Sequence, residues 1–205
     1  MAEAAPVARS ALEGLYRPGR QGRAEGTPGV VLAELGTIAL ASVIARKGKA
    51  GQASEAARRS FGVELPETPR RTLGKGIEFL WAGPEQWLAV ARDGLPPGEL
   101  ETRLAAVFAG LASVAEQSDG RTVLRISGPK ARDTLAKGLP IDLHPRVFRS
   151  GDTGLTVAAL IGVQIWQIDE TPTYEIAVFR GFARSFWHFL TEAAAEYGCE
   201  IAGKP

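Results

Sequence analysis

Only two histidines, His144 and His188, are present, and they lie in separate segments without the His-x-x-x-His or His-Glu-x-x-His spacing that presents two ring nitrogens to one metal. His144 sits in Ile141-Asp142-Leu-His144-Pro145-Arg146. An Asp two residues ahead can orient an imidazole for proton transfer, but a loop residue that caps backbone or meets a partner explains the same composition, and that reading is preferred. Cys199, the sole cysteine, follows Gly198 at the end of an expected helix, where the dipole opposes a thiolate, so an inert thiol is expected. Ser127 precedes Gly128-Pro129 but lacks the Gly-x-Ser-x-Gly of a nucleophile elbow. Trp81, Trp87, Trp166 and Trp187, with Phe182 and Phe186, offer either an aromatic box or ordinary core and interface, and core or interface is preferred. Arg70, Arg71 and Lys75 form a basic loop, read as solvated rather than as an anion site. Asp152, Asp169 and Glu170 fall at turns. No catalytic, cofactor-binding or metal-binding residue is assigned to the chain by itself.

The elements that would position these residues read as α+β: antiparallel sheets with packed helices. Thr122, Leu124 and Ile126 alternate along one strand face, Gly128-Pro129 ends that strand and opens a helix, and Gly138 is expected to stop the helix by taking positive φ. Glu78 to Pro84 echoes Val123 to Pro129, each a strand closed by Gly-Pro before an expected helix, which suggests two pseudo-symmetric lobes. Neither turn carries Gly-x-x-x-x-Gly-Lys-Ser/Thr or Gly-x-Gly-x-x-Gly, so neither reads as a phosphate loop. Val30 to Ala45 reads as strands around Gly36, Gln52 to Phe61 as a helix, and Ile77 to Trp81 and Leu88 to Ala91 as strands. Leu100, Leu104, Val107, Phe108 and Leu111 place one apolar stripe on a helix over Pro97 to Leu111. Leu155 to Ile168 and Thr173 to Arg180 form a hairpin, and Ala183 to Tyr197 a final helix.

A chain of 205 residues that is 45% hydrophobic can bury a sizeable core, read here as one two-lobed domain over residues 30–205. Residues 1–29, rich in glycine, proline and dispersed charge, are expected to form a flexible arm, disordered or laid across a partner. With 24 basic and 23 acidic side chains no net field recruits nucleic acid or an anionic membrane. The absence of a secretory leader pattern, of a run of ~20 apolar residues and of paired cysteines is consistent with a cytoplasmic chain.

Trp81-Ala-Gly-Pro-Glu-Gln-Trp-Leu88, Gln117 to Pro129, Leu135 to Arg146 and Ser185-Phe-Trp-His-Phe-Leu190, reinforced by Gly162 to Asp169 and Tyr174 to Arg180, together resemble the gamma subunit of heterotetrameric sarcosine oxidase. The resemblance implies lobes similar to the folate-binding aminomethyltransferase fold. It also implies an auxiliary subunit beside alpha, beta and delta subunits, in an assembly that oxidatively demethylates sarcosine to glycine with hydrogen peroxide and formaldehyde or methylenetetrahydrofolate. FAD, FMN, NAD and tetrahydrofolate are then expected on the larger subunits and none on this chain alone. The alternatives are a free-standing binder of a folate-like molecule, with Arg125 or Arg146 meeting its carboxylate, or an aminomethyltransferase.

Overall fold

Short runs of β-branched and aromatic residues, punctuated by glycine and proline, give this chain its many strands. The structure is a computed structural model that describes residues 9–36 and 38–203. In chain order the elements are β1 (Gly19–Gln21), β2 (Val30–Leu35), β3 (Ala39–Ala45), α1 (Ala50–Phe61), β4 (Arg71–Gly74), β5 (Ile77–Trp81), β6 (Gln86–Ala91), α2 (Glu99–Val107), β7 (Ala112–Glu116), β8 (Arg121–Ser127), α3 (Ala131–Ala136), β9 (Thr153–Ala158), β10 (Ile161–Asp169), β11 (Thr173–Phe179), α4 (Ala183–Ala194) and β12 (Cys199–Ile201).

Two sheets result, one ordered β1-β12-β2-β8-β11-β10-β9 and the other β4-β5-β6-β3-β7. Neighbours are antiparallel except β12 and β2. The second sheet is an excursion from the first: β2 pairs directly with β8, and everything between them builds the other lobe. Period-two alternation then sorts side chains into layers. Leu124 and Ile126 of β8 join Ala131, Leu135, Phe186 and Leu190 in the core under α3 and α4. Phe79, Val43 and Ala89 meet Ala53, Phe61, Leu100, Leu104 and Phe108 under α1 and α2. Between the sheets, Val123, Trp166 and Ala177 from one pack on Leu40, Leu80, Leu88 and Val90 from the other. The order is helices, sheet, sheet, helices.

The α+β class with antiparallel sheets and two lobes is as the sequence indicates, but several local expectations are corrected. Gly83-Pro84 does not open a helix. It makes the turn between β5 and β6, with the Gln86 amide donating to the Gly83 carbonyl at 3.1 Å and Glu85 at φ 58°. The strand expected over Leu88 to Ala91 is present and begins at Gln86, directly after the turn, so no helix intervenes, and Trp87 to Ala91 is buried throughout. Only Gly128-Pro129 opens a helix, α3. Gly138 is not among the positive-φ residues; its glycine is needed because a Cβ there would overlap the Phe189 ring. The apolar stretch Leu155 to Ile168 is two strands, β9 and β10, joined by Ala159 and Leu160 at φ 47° and 71°, a left-handed turn written without the glycine or asparagine that announces one. The helix begun near Pro97 ends at Val107, short of Leu111.

Of the expected arm, residues 1–8 lie outside the described residues, and residues 9–29 pack on the first sheet. Leu12 and Tyr16 are buried in its core, the Tyr16 ring packs at a tilt with its centroid 5.2 Å from that of Trp187, and its hydroxyl donates to the Ala202 carbonyl at 2.7 Å. β1 adds an edge strand to β12. Two well-placed apolar side chains and one strand supply the contacts that an averaged composition conceals. Leu12→Ala should therefore destabilise the chain by ~2–5 kcal/mol in urea unfolding, whereas an arm independent of the fold would give no change.

Candidate functional site

The most concentrated chemistry lies in the seam between the sheets. β11 runs antiparallel to both β8 and β10, and its register sets Glu175 beside Arg125 and Trp166. Odd-numbered β11 residues face the seam: Ala177 meets the apolar cluster there, and Glu175, with no exposed surface, takes the next position along. Its carboxylate accepts five donors. Arg92 Nη1 and Nη2 reach its two oxygens at 3.1 and 2.7 Å, Arg125 Nε and Nη2 reach Oε1 at 3.1 and 2.6 Å, and Trp166 Nε1 reaches Oε2 at 2.9 Å.

Arg92, immediately after β6, carries the lattice into the second sheet. Its Nε and Nη2 donate to Glu78 Oε1 and Oε2 at 2.5 and 3.3 Å, and Arg71 adds a longer contact to Glu78 at 3.4 Å. Burial opposes the charge on Arg92, yet its hydrogen bonds to both carboxylates outweigh it and raise its pKa above the ordinary arginine value. Three guanidinium groups and two carboxylates leave one positive charge in excess, offset by the partial exposure of Arg125 and Arg92. The groups bind one another in fork-to-carboxylate geometry. A nucleophile or proton carrier needs a free valence, and the Glu175 oxygens are already filled.

The residues weighed from sequence are scattered. His144 is exposed; its backbone amide donates to Asp142 Oδ1 at 2.8 Å, and its Nδ1 accepts the Arg146 amide at 3.2 Å. Asp142 thus braces the turn through backbone and does not orient the imidazole. Leu143 is buried and Val147 exposed, and the second anchor of this loop is the buried Phe148. His188 is exposed on α4, and among the described residues no three His, Cys, Asp or Glu side chains converge as metal ligands. Trp166 fills the seam, Trp87 donates to the Pro66 carbonyl in the second core, and Trp187 lies in the first, so the tryptophans form no shared box. Phe186 is core and Phe182 is exposed. Arg70 pairs with Asp152, Asp169 caps Thr171, and Glu170 accepts the Ser150 amide. Arg125 is spent on Glu175 and Arg146 lies in an exposed loop, so these two do not frame one ligand. Cys199 is buried in β12, and burial, aided by Glu200, pushes its thiol up to about 11.

Glu78, Arg92 and Glu175 were not singled out by sequence reasoning. The available signal was an acidic residue inside the apolar run Tyr174-Glu-Ile-Ala-Val178, on the face that strand alternation assigns to Ala177. An open pocket of about 320 Å³ lies at one end of the seam, where Glu34, Ile38, Ser118, Arg121 and Arg180 meet.

Glu175→Gln should cost ~3–5 kcal/mol because it leaves two arginines without their shared counter-charge, and a double-mutant cycle with Arg92→Met should return a coupling of ~0.5–3 kcal/mol. Cys199 should resist a thiol reagent at pH 8 in the native chain and react after denaturation; fast native labelling would contradict its burial.

The family model described as "Sarcosine oxidase, gamma subunit family" matches residues 47–196. The sarcosine oxidase subunit gamma of an Arthrobacter species is 35% identical over 95% of this chain and 94% of its own length. In three dimensions the chain is similar to one in the heterotetrameric sarcosine oxidase from Corynebacterium sp. U-96, solved with pyrrole 2-carboxylate, with a TM-score of 0.79 and 29% identity over 93% of this chain and 96% of that one. The glycine cleavage system aminomethyltransferase T from Bartonella henselae shares the fold, at a TM-score of 0.65 and 18% identity, over 85% of this chain and 48% of that protein. With a family model over most of its length and a relative above 30% identity along nearly all of it, this chain belongs to the sarcosine oxidase gamma subunit family.

Proposed function

We propose that this chain is an auxiliary, non-catalytic subunit of a heterotetrameric sarcosine oxidase, joined to alpha, beta and delta subunits that carry the redox chemistry. The observation that carries the reading is the seam. In a two-lobed fold the space between lobes is where a ligand would lodge, and here Trp166, Leu40, Leu80, Leu88, Val90 and the Glu175 lattice occupy it. Both Glu175 oxygens are filled by donors from Arg92, Arg125 and Trp166, and the tryptophan is fully buried.

The described residues also do not fit the cofactors that such an assembly implies. A flavin or nicotinamide dinucleotide asks for backbone amides free to meet a diphosphate. The helix opened by Gly128-Pro129 is short, and the Lys130 and Ala131 amides already donate to the carbonyls of Gly29 and Gly128. A folate held within the seam would need a basic residue for its carboxylate, and Arg125, the arginine placed there, is committed to Glu175. We therefore assign FAD, FMN, NAD and tetrahydrofolate to the larger subunits, along with oxidation of sarcosine to glycine, peroxide production and transfer of the one-carbon unit. No step of that chemistry is routed through this chain. Among the described residues no helix is long and apolar enough to cross a membrane, and a cytoplasmic assembly is the reading we adopt.

Purified alone, the chain should be colourless, should produce no peroxide from sarcosine and oxygen, and should bind tetrahydrofolate no tighter than millimolar in calorimetry. Mixed with its flavin-bearing partners it should co-sediment as one species. A stable monomer that never joins them would remove the subunit reading, and turnover by the isolated chain that vanishes on changing one acidic residue would make it an enzyme in its own right.

A further inference from the structure

At one end of the seam the arginines stop pairing with carboxylates. Arg121 opens β8 and is half-buried; its guanidinium lies 4.6 Å from the centroid of the Phe179 ring, and its side-chain hydrogen bond is a long one, 3.4 Å to Gln117 Oε1. Burial lowers its pKa, the mark of a cation losing hydration without gaining a counter-charge. Arg180 and Arg184 donate to the neutral carbonyls of Arg9 and Glu13, at 2.5 and 3.2 Å. Among the described residues none of Arg9, Arg121, Arg180 and Arg184 forms an ion pair, in contrast to Arg71, Arg92 and Arg125 of the lattice. Glu34 and Asp119 line the adjoining pocket, but Glu34 accepts the Ser10 hydroxyl and neither reaches an arginine within ion-pair distance. Basic groups outnumber acidic ones on this face.

Two large aromatics accompany these cations, Phe179 against Arg121 and Phe182 between Arg180 and Arg184 in the chain. Phe179 ends β11 and Phe182 ends the short 3-10 turn that follows, and they are 50% and 54% exposed. Exposed phenylalanine next to arginine is the composition that dominates binding energy at protein interfaces, because each ring displaces much water and each guanidinium offers a planar fork to a carboxylate. A small anion would use the arginines and leave both rings in water. A polypeptide segment uses both.

We infer that the face formed by Phe179, Phe182, Arg121, Arg180 and Arg184 is a docking surface for an acidic segment of a larger partner subunit, with a carboxylate seated on Arg121 and an apolar side chain on the two rings. The inference rests on the subunit reading above and adds the place of contact. Arg121 is pre-positioned by its stacking on Phe179, so little side-chain freedom remains to be lost on binding. The same contact supplies the counter-charge that Arg121 lacks in the free chain.

The test is co-expression of all subunits with wild-type, Arg121→Glu, Phe182→Ser or Leu160→Ser forms of this chain, followed by sedimentation at rising salt. Leu160 is 95% exposed in the β9–β10 turn and serves as a surface control. Thermal melts of the isolated variants check folding, and Phe182→Ser, confined to an exposed side chain, keeps the test open if Arg121→Glu folds poorly. Retention of Arg121→Glu and Phe182→Ser should weaken by about tenfold or more, as loss of a central anchor does, with wild-type and Leu160→Ser unchanged. If wild-type chain itself fails to assemble, the subunit reading falls. If wild-type assembles and both face variants do so equally well, the subunit reading stands and this docking face is wrong. An Arg121-dependent rise in the melting temperature of the isolated chain with millimolar acetate or glycine would make the pocket a small-molecule site and overturn the inference likewise.

Discussion

An ionised carboxylate sealed from water is tolerable only if donors surround it, and Glu175 imposes that demand on the whole molecule. Its donors come from β8, from β10 and, through Arg92, from the far sheet. The two sheets must therefore close at a fixed distance and register, since a one-residue slip of β11 would turn Glu175 into the helix-covered core and bring a large apolar side chain to Arg92. The apolar seam supplies the attraction between sheets, but oily surfaces slide. The fork geometry of Arg92, held by Glu78 on one side and Glu175 on the other, selects one arrangement among many of similar apolar burial. Such a lattice adds little net stability over a well-packed apolar substitute, and its retention in the seam is better explained by the alignment it enforces.

That alignment matters because of how the chain is threaded. The second lobe is inserted between β2 and β8, which are hydrogen-bonded neighbours, so it connects to the first by two short crossings, through Gly36 and through the Gln117 to Gly120 turn. Connections at one end alone would let the lobes hinge. At the opposite end the Arg70–Asp152 pair and the bond from the Arg71 amide to the Gly151 carbonyl tie β4 to the start of β9. Crossings, charge lattice and this tie thus join the two lobes at both ends and along the seam between them.

Much of this was legible in the sequence where the signal was local. Ile77 to Trp81 occurs as a strand over that very range, the helix before Gly62 ends as expected with Gly62 at φ 74°, and Thr122, Leu124 and Ile126 share the face alternation assigned to them. Misreadings arose where long-range packing decided. Gly83-Pro84 and Gly128-Pro129 look alike in sequence, but the residues after the first are drawn into a buried strand and those after the second are not. Ala159-Leu160 adopts a turn that its residue types disfavour because the strands on either side are strongly paired. The segment from Arg9 to Gly29 is ordered by two buried side chains, a detail to which average composition is blind. The lattice was hidden for a related reason: no two of Glu78, Arg92 and Glu175 are near in sequence, and their pairing exists only once both sheets are placed.

The arginines mark the boundary between what this chain satisfies by itself and what it leaves to others. Within the seam, Arg71, Arg92 and Arg125 are matched with Glu78 and with Glu175, a carboxylate that has no exposed surface of its own. At the end of the seam, Arg121, Arg180 and Arg184 have no such partner and are stabilised by a ring, an amide and backbone carbonyls instead. An isolated soluble domain gains nothing from placing two half-exposed phenylalanines beside such cations, since the rings add apolar surface to water and the charges add desolvation cost. In an obligate subunit both costs reverse on assembly. The arginines of the seam thus fall into two sets, one matched by carboxylates along it and one left without a carboxylate at its end.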